Sequence, residues 1–168
     1  QREQGRVYDE NVMELVRKYT VDDPTNPTKD FARELRLAVG ELLGLDDLAM
    51  DRLKIFSTVN TDLDKHGVDA WMEFQHPMRG RIVVKFDVTI NPNKEEKAAH
   101  QADILVVQTR DIAQPDSPQF LRDIGLIALE FARRFDPDFE RRKEEKRQQA
   151  RAAGTRRVIR PSGARPSA

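Results

Sequence analysis

The chain has no cysteine. That absence excludes a disulfide framework, zinc sites built on thiolates, and cysteine nucleophiles. The sequence also has no apolar run near the ~20 residues that a membrane-spanning helix needs, and its first residues do not resemble a signal peptide. We therefore expect a cytoplasmic protein with no membrane partner.

The signatures of several enzyme classes are missing as well. The chain has no glycine-rich phosphate loop, no Gly-x-Ser-x-Gly elbow and no His-Glu-x-x-His. The common kinase, hydrolase and zinc-protease motifs are therefore excluded. Charged residues make up 35% of the sequence.

Charge is unevenly distributed along the chain, although the formal net charge of the 168 residues is zero. From Lys146 onward there are seven basic residues and no acidic one, so the preceding part carries a net charge of −7. Arginines with almost no aromatic neighbours neutralise phosphates without reading bases. We predict that this tail contacts nucleic acid through Arg147, Arg151, Arg156, Arg157 and Arg160. The alternatives are a protein partner that orders the tail and a merely solubilising extension.

Hydrophobic periodicity predicts the order of the structural elements. Apolar spacing indicates helices at 8–19, 31–42, 94–101 and 118–135. Thr28 or Asp30 can cap the second helix, and Gly44 follows its last periodic residue. Ser117 and Pro118 form the start of the last of these helices. Alternating or compact apolar runs predict strands at 53–59, 68–74, 81–90 and 103–107.

This order indicates an α/β fold with a mixed four-stranded sheet flanked by helices. A charged helix and a flexible basic tail follow it, because the sequence beyond Phe139 loses its apolar stripe. We divide the chain into an N-terminal helix and linker (1–27), an α/β core (28–138), and a charged helix with the basic tail (139–168).

The hairpin between the second and third strands brings two acids together. If its loop is centred near Met78, partner residues have numbers that sum to about 156, which places Asp69 opposite Asp87 and Trp71 opposite Lys85. Like charges in that position destabilise a sheet. The pair is explained by a bound hard cation, a shared proton, or a neighbouring Lys or Arg. Oxygen ligands point to Mg²⁺ or Mn²⁺ if a cation is present.

These residues resemble the PD-(D/E)XK nuclease superfamily over residues 29–135. A helix, a three-strand meander, a helix and a fourth strand occur in that order, with an Asp on the second strand and an acid on the third. The resemblance implies a restriction-endonuclease-like fold and a metal-dependent nuclease that binds DNA or RNA. It also implies that the two strand acids bind a divalent metal, that a helix acid supports them, and that a lysine orients the attacking water.

Carried over by position, the resemblance makes Asp69, Asp87 and Glu34 the metal ligands. The position at which the family has its lysine is Thr89 here, so Lys85 or Lys94 is the candidate catalytic residue. The alternative for Asp69 and Asp87 is a solvated strand face on which Lys85 and Arg81 offset the acids. For Glu34 it is an exposed helix residue. A second hypothesis for the whole chain is a non-catalytic adaptor that docks into a larger assembly through its tail.

Overall fold

The computed structural model describes residues 2–59, 61–89, 102–107 and 117–154. Its helices are α1 (Arg2–Tyr19), α2 (Asp30–Leu43), α3 (Asp47–Met50), α4 (Asp62–Lys65), α5 (Pro118–Phe135) and α6 (Phe139–Gly154). Its strands are β1 (Leu53–Ser57), β2 (Ala70–His76), β3 (Gly80–Thr89) and β4 (Ile104–Val107). The predicted fold class is confirmed. The short helices α3 and α4 were not predicted, and the helix predicted at 94–101 lies outside the described residues.

The four strands form one sheet in the order β1-β2-β3-β4. The first three strands are an antiparallel meander, and β4 pairs in parallel with β3. Trp71 faces Lys85 and Glu73 faces Val83, as the predicted hairpin register requires. The register holds because the apolar alternation of both strands is satisfied only when the turn lies around Met78.

The C-terminus of α2 and the N-terminus of α5 are capped by the residues that the sequence indicated, but the N-terminus of α2 is not. Gly44 ends α2 with a φ of 70°, a conformation that glycine adopts without a Cβ clash. The Ser117 hydroxyl accepts the N–H of Phe120 at 3.1 Å and caps α5. The predicted cap of α2 is wrong: its N-cap is Lys29, which has no side-chain capping bond. Thr28 instead donates its backbone N–H to the Asp22 carboxylate at 3.2 Å.

Each face of the sheet is covered by helices. On one face, Phe74 and Phe86 contact Phe135 and Phe131 of α5, with ring centroids 5.7 and 5.3 Å apart. On the other face, Trp71 is fully buried in a cluster with Met13 of α1 and Leu63 of α4. The parts of the sheet under these helices are withdrawn from water, and a charged group buried there needs a partner.

The chain divides into a compact unit that ends at Asp136 and a second one that begins at Pro137. The second unit contains α6, whose surface carries short-range ion pairs such as Arg147 to Glu144 at 3.4 Å. Among the described helices, none has the length and apolar character needed to cross a bilayer.

Arg36 joins α2 to the segment that leads into β1. Its side chain is only 7% exposed, and it donates to the carbonyls of Leu53 at 2.7 Å and Met50 at 2.6 Å. Burial lowers the pKa of the guanidinium, and the nearby charges of Asp51 and Asp23 oppose that change. Arg36 thus donates hydrogen bonds to two backbone carbonyl groups, one at the end of α3 and one at the start of β1.

Replacing Arg36 by Met should destabilise the fold. The substitution keeps much of the aliphatic volume but removes both donors, and an unpaired buried polar group costs roughly 1–3 kcal/mol. We expect the free energy of unfolding, measured by urea denaturation, to fall by about 2–4 kcal/mol. The control is Arg52→Met, at an exposed position, which should change stability by less than ~0.5 kcal/mol. Equal effects of the two substitutions would contradict this role.

Candidate functional site

Asp69 lies one residue before β2 and interrupts the regular ladder. Its backbone N–H donates to the carbonyl of Phe86 at 3.0 Å, although Phe86 is already the register partner of Ala70. The paired register therefore begins at Ala70, one residue short of the predicted Asp69–Asp87 pair. The Asp69 carboxylate instead accepts the backbone N–H of Val88 at 2.8 Å. This side chain replaces a main-chain acceptor at the end of the ladder.

Asp87 lies on β3 next to the residue that Asp69 holds. Its side chain is 1% exposed, and its backbone is paired with Leu105 of β4. Val88 follows Asp87 directly, so the hydrogen bond from the Val88 N–H ties Asp69 to the residue next to Asp87 in β3. The predicted direct opposition of Asp69 and Asp87 is not found, because the register of β2 and β3 begins at Ala70.

The third predicted metal ligand, Glu34, is placed differently. It is half-buried on α2 and forms an ion pair with its neighbour Arg33 at 3.6 Å. Within the residues that the structure describes, there is no cluster of three or more side chains of the metal-ligating types. The other candidate, Lys94, lies outside the described residues.

Lys85 is held by the N-terminal helix. Its ammonium group is 2.5 Å from the Asp9 carboxylate of α1, and its backbone N–H donates to Asp103 at 2.8 Å. It lines a cleft of about 550 Å³ between α1 and the start of β3, together with Arg17 and Arg81. Lys85 shares a strand face with Asp87, as predicted, but its charge is neutralised by α1.

Glu73 shows how α1 is fixed on this face of the sheet. Its Oε1 atom lies 2.7 Å from Nε and 2.5 Å from an NH2 nitrogen of Arg17. The same oxygen accepts the indole N–H of Trp71 at 3.0 Å. The Glu73 side chain is 9% exposed and that of Arg17 is 19% exposed, so the pair is largely withdrawn from water. The predicted solvated face is in fact a covered one.

A separate cavity of about 350 Å³ lies beside Asp69. It is lined by Phe86 and Val88 of the sheet and by Phe31 in the first turn of α2. Lys29 and Asp22, from the linker between α1 and α2, line the cavity too. Asp69 and Lys85 therefore line different depressions of the surface, and Glu34 is not among the described residues that line either one.

The linker above this cavity is anchored by several hydrogen bonds. The N–H of Ile55 on edge strand β1 donates to the carbonyl of Pro24 at 2.9 Å. Asp23 accepts the backbone N–H of Thr25 at 2.8 Å and its hydroxyl at 2.7 Å, and these bonds lower the pKa of Asp23. The linker that contributes Asp22 and Lys29 to the cavity is therefore attached to the edge of the sheet.

Lys29 is the residue that the sequence analysis missed. It is exposed, precedes α2, and shares the cavity with Asp69. Its position in the sequence carries no periodic or motif signal. The linker is hydrogen-bonded to β1, and this long-range contact accompanies the placement of Lys29 in the same cavity as Asp69, 40 residues later in the sequence.

The predicted nucleic-acid-binding arginines are only partly described. Arg147 and Arg151 lie on α6, where Arg151 is exposed and Arg147 is paired with Glu144. The others, Arg156, Arg157 and Arg160, lie outside the described residues. The prediction for the tail therefore stays a prediction.

Comparison of the chain with family models, with curated proteins and with solved structures gave no match. The resemblance to the PD-(D/E)XK superfamily thus stays a hypothesis based on the residues. The site has to be judged on its own chemistry.

The Arg17–Glu73 pair gives a direct test of how α1 is held. Arg17→Met leaves a buried carboxylate without its cation, and breaking a buried pair in this way costs roughly 3–5 kcal/mol. Because Arg17 keeps some exposure, we expect the free energy of unfolding to fall by about 3 kcal/mol. The matched control is Arg33→Met, which breaks a pair with exposed Asp30 and should cost less than ~1 kcal/mol. If Arg17→Met costs no more than the control, α1 is held by its apolar contacts alone.

Proposed function

We propose that this chain is a metal-dependent nuclease, or a nuclease-like nucleic-acid-processing factor, that acts on phosphodiesters through Asp69 and Asp87. The observation that carries the proposal is the 2.8 Å hydrogen bond from the Val88 N–H to the Asp69 carboxylate. This bond joins Asp69, the acid before β2, to Val88, the residue that follows Asp87 in β3. The proposal requires that one cation bridge the Asp69 carboxylate and the Asp87 carboxylate, which is 1% exposed.

The donor atoms suit Mg²⁺ or Mn²⁺. Both are hard cations that take oxygen ligands, and Mg²⁺ is commonly bound by one or two carboxylates together with water and substrate phosphate. Two acids therefore suffice, and a third protein ligand such as Glu34 is not required. A bound metal would polarise the scissile phosphate and lower the pKa of its water.

The described residues favour Lys29 over Lys85 as the cation nearest the substrate. Lys29 lines the same cavity as Asp69, whereas Lys85 lines the other cleft and pairs with Asp9. An exposed ammonium group at the cavity wall is able to attract a phosphate that the acids alone would repel. Lys94 stays a candidate from the sequence.

The second candidate function is a non-catalytic adaptor on the same scaffold. It is favoured by the cover that α1 forms over the strand face, since Arg17 neutralises Glu73 and Asp9 neutralises Lys85. A face whose charges are paired in this way stabilises the fold and leaves Glu73 and Lys85 less accessible to a substrate. The tail would then provide the contact with a larger assembly.

Metal binding and cleavage separate these two functions. We expect isothermal titration with Mn²⁺ to show one site that Asp87→Asn removes, because the amide cannot supply a charged ligand. Cleavage of plasmid and single-stranded substrates with Mg²⁺ or Mn²⁺ should disappear in the same variant. Lys29→Met should lower the cleavage rate about 10²-fold through loss of a positive group near the developing charge.

Two controls accompany these variants. Asp47→Asn removes a carboxylate from exposed α3, and Lys54→Met removes a charge from an exposed position of β1 outside the cavity. Both should bind Mn²⁺ and cleave like the unchanged protein. A protein that neither binds Mn²⁺ nor cleaves any substrate would favour the adaptor.

The tail should supply most of the affinity for nucleic acid. Its seven positive charges follow a part of the chain with net charge −7, and each phosphate contact on duplex DNA contributes roughly −0.9 to the log-log salt slope. Full-length protein should therefore give a slope no steeper than about −6. Removing residues 146–168 should weaken binding to a labelled duplex and flatten the slope, without unfolding the α/β unit.

An intermediate truncation serves as the matched control. Ending the chain at Gly154 keeps Lys146, Arg147 and Arg151 and should leave a slope of at most about −3. Identical slopes and affinities for the three proteins would show that the tail does not bind nucleic acid. A protein partner would then be the better explanation of its charge.

A further inference from the structure

The cavity beside Asp69 has the composition of a small-molecule site. Its volume of about 350 Å³ lies at the lower end of the ~300–1,000 Å³ range of ligand pockets, which suits one compact ring system. Its walls are largely apolar, with Phe31 on the α2 side and Phe86 and Val88 on the sheet side. A flat, weakly polar ligand is able to contact both walls.

The polar groups of this cavity select the ligand further. Asp22 and Asp69 provide carboxylates, Ser57 a hydroxyl, and Lys29 the one cation among the described lining residues. Each carboxylate already accepts one backbone N–H, from Thr28 and Val88, and a carboxylate has about four acceptor sites. A ligand that donates N–H groups from its edge satisfies them, whereas a hydrocarbon chain would desolvate two acids without compensation.

A nucleobase combines these properties. Its ring faces are apolar enough to pack between Phe31 and the sheet, and its edge carries N–H donors of the kind that Asp accepts from cytosine. A base within a duplex is stacked and paired, so its edge and faces cannot contact the cavity lining unless the base is extruded. The cavity therefore favours an unpaired base.

The location of the cavity connects it to the acid pair. Asp69 lines the cavity and accepts the N–H of Val88, the residue that follows Asp87 in β3. Asp69 thus belongs both to the cavity and to the proposed acid pair, and Lys29 lines the same cavity, so a phosphate bound at Asp69 would have its own base within reach of the cavity. We propose, resting on the proposed function, that this cavity binds one unpaired nucleobase and that the substrates are single-stranded nucleic acids or duplexes with an unpaired nucleotide.

Binding of free nucleosides in EDTA tests the cavity apart from metal chemistry. Trp71, the single tryptophan, stacks on Phe56 at 5.0 Å between ring centroids, and Phe56 lines the cavity. Titration with each of the four deoxynucleosides should therefore change the intrinsic fluorescence. Deoxyribose, which lacks the base, should not. Ala32→Leu fills the cavity from α2 and should weaken nucleoside binding at least tenfold.

The matched control is Ala38→Leu, on the same helix but outside the cavity lining, which should bind nucleosides within twofold of the unchanged protein. If Ala32→Leu fails to fold, Ser57→Leu at an exposed position of β1 narrows the same cavity. Loss of binding in a folded filling variant, with binding kept in the control, supports the proposal. No binding of any deoxynucleoside, or equal binding by filling and control variants, overturns it.

Cleavage data distinguish failure of this inference from failure of the proposed function. Nucleoside binding without Mn²⁺ binding or cleavage keeps the cavity assignment and removes the nuclease. Cleavage that depends on Asp87 but is equally fast on fully paired and single-stranded substrates, with no nucleoside binding, keeps the nuclease and overturns the base pocket. Both proposals stand if the single-stranded substrate is cleaved at least tenfold faster and Ala32→Leu removes that preference.

Discussion

The arrangement of α1 on the sheet depends on one carboxylate oxygen, Oε1 of Glu73. It receives the guanidinium of Arg17 and the indole N–H of Trp71 in an environment almost without water. A buried charge without such partners would be strongly destabilising. The helix that provides Arg17 must therefore stay on this face, where it also buries Met13 and pairs Asp9 with Lys85. The face that carries Asp87 is consequently an interior surface.

Local patterns predict much of the fold, because each pattern has a local physical cause. The alternation of β2 and β3 and the turn around Met78 fix the pairing of Trp71 with Lys85. Ser117 and Gly44 mark helix ends through bonds to residues a few positions away. The cap of α2 could not be predicted in this way. The helix begins one residue later than a Thr28 cap requires, so Lys29 is the N-cap, and Thr28 lies in the linker with its N–H bonded to Asp22.

The candidate site was predictable only in part, because its decisive contacts are long-range. The sequence identifies Asp69 and Asp87 as notable, but alternation cannot show that the Asp69 N–H bonds to Phe86 and shifts the end of the ladder. Nor can it show that Asp9 pairs with Lys85 across a separation of 76 residues. The sequence allows the charges on this strand face to be solvated, but α1 covers the face and forms ion pairs with two of them, Glu73 and Lys85.

The charge around Asp69 and Asp87 is negative. The proposed nuclease and the proposed adaptor therefore differ in whether a divalent cation binds there. Asp22 and Asp69 face a cavity with Lys29 as the cation among the described lining residues, so the metal-free cavity repels phosphate. Residues 1–145 carry a net charge of −7, and residues 146–168 carry seven positive charges. Without a metal, we therefore expect the tail to provide most of the attraction to nucleic acid. A divalent ion at Asp69 and Asp87 would neutralise the two acids and let the phosphate approach them. The two proposed functions therefore differ in one ion: the nuclease requires it at the acids, and the adaptor does not.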